Sequence, residues 1–185
     1  MSKARLKRFK ALVEPCLGDL HRAASRLAGN AADAEDLVQD CCLRAWESFP
    51  DIDNPAHLKH WLLRVVYNRF VDGRRRDRVV AMDSLSQSEA SGLEIAASEP
   101  DPETRALQFE RVERIDQACA VLDAEQYALL VLRAEGYRLD EIEDITGIAR
   151  EVLGARLYRA RRRLARQLRK LAEPADRRTE LGRGK

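Results

Sequence analysis

Apolar residues in this chain recur at intervals of three and four, and proline or glycine punctuates each change of segment. Leu17, Leu20, Ala24 and Leu27 follow Pro15, a residue that opens a helix more readily than it continues one. Gly29-Asn30 closes that run. Asp33 is then expected to cap a second helix with the stripe Ala34, Leu37, Val38, Cys41, Ala45 and Phe49, with Trp46 beside it and Pro50 as its stop. The loop FPDIDNPAH leads to a third helix, which carries Leu58, Trp61, Leu62, Val65, Val66 and Phe70 on one side and runs out into DGRRRDR. Val and Ile are sparse beside Ala, Leu, Arg and Glu, and only 5% of residues are aromatic, so strands have little to build on. The expected fold is all-α, with two small helical domains joined by a flexible linker.

The first domain is expected over 1–78. Residues 79–104 mix Ser, Ala and Glu with Gly92, Pro100 and Pro102 in weak periodicity, which is linker composition. A second periodic unit covers 105–173, followed by a basic tail over 174–185. Leu107, Val112, Ile115, Cys119 and Leu122 mark one helix of this unit. Asp123 with Gln126 gives a capping-box-like start to LDAEQYALLVLRAEG, which Gly136 ends. Asp140 to Thr146 reads as a short helix and Gly147 as a tight turn. From Ala149 a long helix should hold Val152, Leu153, Leu157, Ala160, Leu164, Leu168 and Leu171 inside. A short helix, a glycine turn and a long basic helix together form a helix-turn-helix pattern.

The formal net charge of +2 hides an asymmetry along the chain. Arg74, Arg75, Arg76 and Arg78 form one basic block, and Arg159, Arg161, Arg162, Arg163, Arg166, Arg169 and Lys170 form a longer one. Between them, Ser84 to Glu103 is acidic. Solvated helix faces account for many single runs, but two blocks on separate elements point to polyanion contacts at two places. Arg156, Arg159 and Arg163 fall at i, i+3 and i+7, a shared face suited to phosphates, and Arg150 stands at the start of the same helix.

Several chemistries are disfavoured. MSKARLKRFKALV is basic but lacks the apolar run of a signal peptide, and no stretch reaches the length of a membrane span, so a cytoplasmic location is expected. Cys16, Cys41, Cys42 and Cys119 have no C-x-x-C spacing and no histidine pair at zinc-ligand spacing. Adjacent Cys41 and Cys42 on a helix point about 100° apart, and free packing thiols are the expectation. Asp36 and Asp40 lie one turn apart with no third ligand or nucleophile beside them. Neither a metal, a cofactor nor a catalytic site is expected, and the chain does not read as an enzyme.

The order NAADAEDLVQDCCLRAW, HLKHWLLRVVYNRFVDGRRR, an acidic linker, then LDAEQYALLVLRAEGYRLDEIEDITGI and ARLYRARRRL resembles the extracytoplasmic-function (ECF) sigma factors of bacterial RNA polymerase. The likeness covers most of residues 15 to 170. It is strongest in DAEDLVQD, RAW and the W-x-x-R-x-x-x-N spacing of Trp61, Arg64 and Asn68. The resemblance implies two domains, regions two and four, working as a promoter-specificity subunit. Asp33, Asp36, Leu37, Gln39 and Asp40 would dock on the coiled coil of the polymerase's largest subunit, where charge steers encounter and apolar contact holds it. Trp61, Arg64, Asn68, Arg69, Arg75 and Arg76, with loop residues Asp53, Asn54 and His57, would hold the melted minus-ten element. That task needs a flipped-base pocket, stacking surface and cations. Trp61 reads equally well as a core residue. Arg150, Arg156, Arg159 and Arg163 would meet upstream duplex. The further partners implied are the polymerase flap and an anti-sigma factor wedged between the domains.

The second domain departs from the family pattern. Arg138 stands where a serine-like cap is usual, Glu143 where a small alanine is usual, and Val152 and Gly154 where a threonine and a lysine usually face DNA. Gly154 also costs roughly 1 kcal/mol of helix propensity relative to Ala. These departures put readout of the minus-thirty-five element in question more than the fold. Two other readings stand beside the sigma factor: a sigma-like decoy that sequesters an anti-sigma factor without binding promoter DNA, which Glu143, Val152 and Gly154 would favour, and a simple helix-turn-helix regulator. The second leaves the DAEDLVQD and WLLRVVYNRF helices without a purpose.

Overall fold

The computed structural model of the chain describes residues 3–47, 55–83 and 113–180, with side chains over 3–47, 57–76 and 113–172. Among the described residues all regular structure is helical. The basic N-terminus, for which the sequence suggested no element, forms α1 (Lys3–Val13). It meets α2 (Leu17–Ala28) through a tight 3-10 turn over Glu14–Cys16, where Pro15 gives up no helical hydrogen bond. Helices α3 (Ala31–Glu47) and α4 (Pro55–Asp83) complete the first half. The second half holds a helical stretch over 113–119 (α5), then α6 (Ala124–Ala134), α7 (Leu139–Thr146) and α8 (Arg150–Glu180). Residues 84–104 of the expected linker lie outside the described residues, while 79–83 continue α4 past the expected boundary. Phe49, Pro50, Leu107 and Val112 also lie outside them.

Local chemistry explains the helix ends. Gly29 takes the left-handed conformation (φ 82°), and its N–H donates to Ser25 O at 3.0 Å, closing α2. The cap of α3 is Asn30 and not Asp33. Asn30 Oδ1 accepts from the Asp33 N–H at 2.8 Å, and Asn30 Nδ2 donates back to Asp33 Oδ2 at 2.8 Å. Asp33 therefore sits in the first turn, where its charge still suits the positive end of the helix. Asp123 caps α6 as expected, its carboxylate accepting from the Gln126 N–H at 2.8 Å. At Arg138 no side-chain acceptor exists, yet its backbone N–H donates to Glu141 Oε2 at 2.7 Å, so the reciprocal arm of a capping box starts α7. Gly147 (φ 72°) ends it, donating to Glu143 O at 2.8 Å.

Leu20, Leu27, Cys41, Leu58, Leu62, Leu63 and Val66 are all but fully enclosed in the first half, as are Leu129, Leu132, Ile142, Ile145 and Leu153 in the second. The two sets belong to one continuous apolar cluster, because α6 and α7 lie across α2 and α4. No described polar or charged residue is buried. Some expected core positions are not enclosed. Trp61 and Val65 are half-buried, Ile115 is 51% exposed, and Val152 and Leu168 are each 40% exposed. At 31 residues, α8 is far longer than α6 or α7, and among its described side chains only Leu153, Leu157 and Ala160 are buried.

All four cysteines are free, and burial raises each thiol. Cys41 is pushed from 9.0 to about 12, and its Sγ donates to Leu62 O at 3.4 Å. Iodoacetamide at pH 8 should therefore leave Cys41 unmodified in the native protein and label it in urea, as read by mass spectrometry. The unfolded chain releases this proton near pH 9, before the folded one does. Melting temperature should accordingly fall as pH rises from 9 toward 12.

Candidate functional site

The 3.6-residue period divides α3 into two faces. Ala34, Val38, Cys41 and Ala45 are buried, which turns Asp33, Asp36 and Gln39 to solvent and leaves Leu37 and Asp40 half-buried. With Leu43, 62% exposed, these residues line one wall of a groove of about 530 Å³. The facing wall belongs to α4: Arg69, Phe70, Gly73, Arg74 and Arg76. All five residues that the sequence assigned to polymerase docking thus meet in one groove. Leu43 was not singled out, and Arg74 was named only as part of the basic block. Leu43 lies off the apolar stripe, seven residues beyond Asp36, and that spacing is its only sequence signal.

Two residues given separate roles by the sequence are joined here. Arg69 forms an ion pair with Asp40 across the floor of the groove, both side chains partly exposed. A pair in that setting contributes ~0–1 kcal/mol, so its main effect is to fix the carboxylate's position.

The remaining minus-ten candidates are spread along α4. His57 is exposed near its start; Asp53 and Asn54 lie outside the described residues. Trp61, Arg64 and Asn68 share one face at i, i+3 and i+7; Trp61 rests half-buried against the core, while Arg64 and Asn68 are exposed. Arg75 and Arg76 are exposed about two turns further on, Arg76 Nε donating to Asp72 O at 3.3 Å.

Arg64 also touches the second half. Its Nε donates to Asp144 O at 3.0 Å, meeting a last-turn carbonyl of α7 that has no partner within the helix. Around this contact, the Tyr127 hydroxyl donates to Arg26 O at 2.7 Å and its ring lies 5.9 Å from that of Phe70. Burial raises the Tyr127 phenol to about 12, which keeps it a donor. Glu135 pairs with Arg26 and, at 3.8 Å, with Arg22. His60 stands between Glu141 (3.7 Å) and Asp144 (3.5 Å), and its Nδ1 is buried without a hydrogen bond.

On α8 the arginines sort into two faces. Arg156 pairs with Glu125, and Arg163 donates to Gln126 Oε1 at 3.3 Å, so both lean on the start of α6. Arg150 and Arg159 are exposed. Tyr158, Arg161, Arg162, Ala165, Arg166 and Arg169 surround a shallow concavity of about 350 Å³. Tyr158 is 61% exposed, with the Arg162 guanidinium 5.7 Å from its ring centre. The basic block is legible in the sequence, whereas the aromatic at its centre was not singled out there. Among the described residues no group of three or more His, Cys, Asp or Glu is placed to hold a metal ion, and no helix is long and apolar enough to cross a membrane.

Residues 12–79 match the sigma-70 region 2 family, the segment that builds the groove and α4. Over 166 residues the chain is 34% identical to the ECF RNA polymerase sigma factor SigL of Mycobacterium tuberculosis, covering 88% of this chain and 90% of the relative. This chain belongs to the ECF RNA polymerase sigma factors. SigW of Bacillus subtilis is 26% identical over 187 residues, covering 92% of this chain and 98% of that one. SigE of Mycolicibacterium smegmatis is 29% identical over 163 residues, and the chain spans 62% of its length. Among solved structures, the sigma factor RpoE of Bartonella quintana, in complex with the anti-sigma factor NepR, superimposes with a TM-score of 0.65 at 27% identity. That match covers 88% of this chain and 98% of RpoE. The matches run through both halves of this ECF sigma factor and do not favour either a decoy or a lone helix-turn-helix regulator.

The contact between the halves is testable in the isolated factor. Glu135→Arg would set a third cation against Arg22 and Arg26. It should loosen the contact and raise the radius of gyration in small-angle X-ray scattering, with the helical circular dichroism retained.

Proposed function

We propose that this sigma factor docks on core RNA polymerase through the groove between α3 and α4. Asp33, Asp36 and Asp40 would face basic partner residues, with Leu37 and Leu43 supplying apolar contact. The observation that carries this reading is the convergence of the five motif residues on one open groove while the rest of α3 is committed to the core. Arg69 acts from within the first half, holding Asp40 toward the partner. Trp61, Arg64, Asn68, Arg75 and Arg76 then engage the minus-ten element, with Asp53, Asn54 and His57 at the loop before them. Arg150 and Arg159, backed by the exposed face around Tyr158, meet upstream duplex. Arg156 and Arg163 support that surface from the side of α6.

Promoter binding requires the halves to part. Elements ten and thirty-five positions upstream are about 85 Å apart along B-form DNA at ~3.4 Å per base pair. A body with one continuous core cannot reach both, and Arg64 is occupied by α7 until it opens. The arrangement described is therefore that of the unengaged factor. The likeness to RpoE bound to NepR supports an anti-sigma factor as a further partner. The work belongs in the cytoplasm beside the polymerase, which carries out the polymer chemistry; the factor supplies no catalytic group.

Run-off transcription with core polymerase and a bubble-containing promoter library tests the whole reading. Wild type should give promoter-dependent transcripts. Asp36→Arg should weaken core binding at least tenfold, and Arg75→Ala should lower open-complex formation while leaving core binding intact. Absence of any promoter-dependent transcript from wild type, together with tight anti-sigma binding, would replace this reading with the decoy. Intact core binding by Asp36→Arg would dissociate the groove from polymerase docking.

A further inference from the structure

The α1 helix, KARLKRFKALV, carries Lys3, Arg5, Lys7, Arg8 and Lys10 and no acid, and docking and promoter contacts leave it without a role. Two side chains fasten it to the end of α3. Arg5 donates to Trp46 O at 3.0 Å and lies 4.9 Å from the centre of the Trp46 ring, which Phe9 meets edge-on at 5.2 Å. Trp46 is in the last turn of α3, so Arg5 satisfies a carbonyl the helix leaves unpaired. Residues 48–54, the loop assigned to the minus-ten element, follow directly in the chain.

With Arg5 and Phe9 turned toward Trp46, Lys3, Lys7 and Lys10 share another face at i, i+4 and i+7. All three are exposed, with Leu6 (45% exposed) among them. Among the described residues no carboxylate pairs with any of the three. Like charges one turn apart weaken a helix, and here they are kept without a described carboxylate partner on a helix anchored to the end of α3. A protein partner of comparable specificity would need an apolar centre, and this face offers Leu6 alone. A row of phosphates needs only cations in register.

We propose that the Lys3–Lys7–Lys10 face of α1 is a phosphate-binding surface that carries the promoter backbone alongside the minus-ten element, with the Arg5–Trp46 contact as its positioning clamp. The inference rests on the promoter-binding reading, and one experiment separates the two. Core polymerase carrying the full chain is titrated against a fluorescent fork-junction probe, duplex upstream and single-stranded over the minus-ten segment, made from a promoter recovered in the run-off library. Dissociation constants are measured at several KCl concentrations.

Three lost phosphate contacts at ~0.7–0.9 each should lower the magnitude of the log Kd against log salt slope by roughly 2 to 3 in Lys3→Gln/Lys7→Gln/Lys10→Gln. The corresponding triple Arg variant should restore it. An unchanged slope overturns the proposal. So does weaker assembly with core polymerase in the absence of DNA at an unchanged slope, since α1 would then be a protein-docking face. Failure of wild-type holoenzyme to bind the probe would remove the promoter reading and this inference with it.

Discussion

The packing of α6 and α7 across α2 and α4 is the constraint on which the rest of the molecule depends. It joins two small cores into one apolar cluster, with Leu63, Tyr67 and Phe70 of α4 enclosed along with Leu129, Ile142 and Ile145. Burial of apolar area supplies the stabilisation, at ~25 cal/mol per Å². The ion pairs at the rim are partly exposed and serve mainly to set the register. Glu135 against Arg22 and Arg26, and Arg64 on the Asp144 carbonyl, fix where α6 and α7 land. A joint rimmed by partly exposed polar contacts is one that a larger binding surface can displace.

Charge in this protein is sorted by helix face. The acidic side of α3 and the basic side of α4 form opposite walls of one groove, so a partner laid into it meets both signs at once. The Asp40–Arg69 pair joins the two walls and fixes the position of the Asp40 carboxylate. On α8, Arg156 and Arg163 are used within the fold, which leaves the Tyr158 face outermost. Net charge near zero conceals this arrangement, because the relevant quantity is which residues share a face.

The departures in the second half are absorbed locally. Arg138 cannot accept a hydrogen bond through its side chain, but Glu141 reaches back to its N–H, and the helix starts where a serine would have started it. Gly154 meets no side chain or backbone atom where a Cβ would sit, so no close approach requires glycine there. The helix-turn-helix is held together by its apolar core residues, Ile142, Ile145, Leu153 and Leu157, all of them buried.

Sequence alone determined the all-helical class, the turns at Gly29 and Gly147, the Asp123 cap and which residues of α3 share the face that lines the groove, because each follows from residues within two turns of one another. Where competing signals were equally local, it chose wrongly: Asn30 takes the cap that a carboxylate three residues later seemed to own. Periodicity also overstated the core of α8, since it marks which residues share a face and says nothing of whether another element reaches that face. Only the tertiary structure decided that Asp40 and Arg69 are one pair, that Arg64 caps α7 from 80 residues away, that Arg156 and Arg163 brace α6, and that α1 is pinned to Trp46. The physical reason is common to all four. Each joins side chains on different helices, and their meeting depends on how the helices cross, which no spacing along the chain encodes.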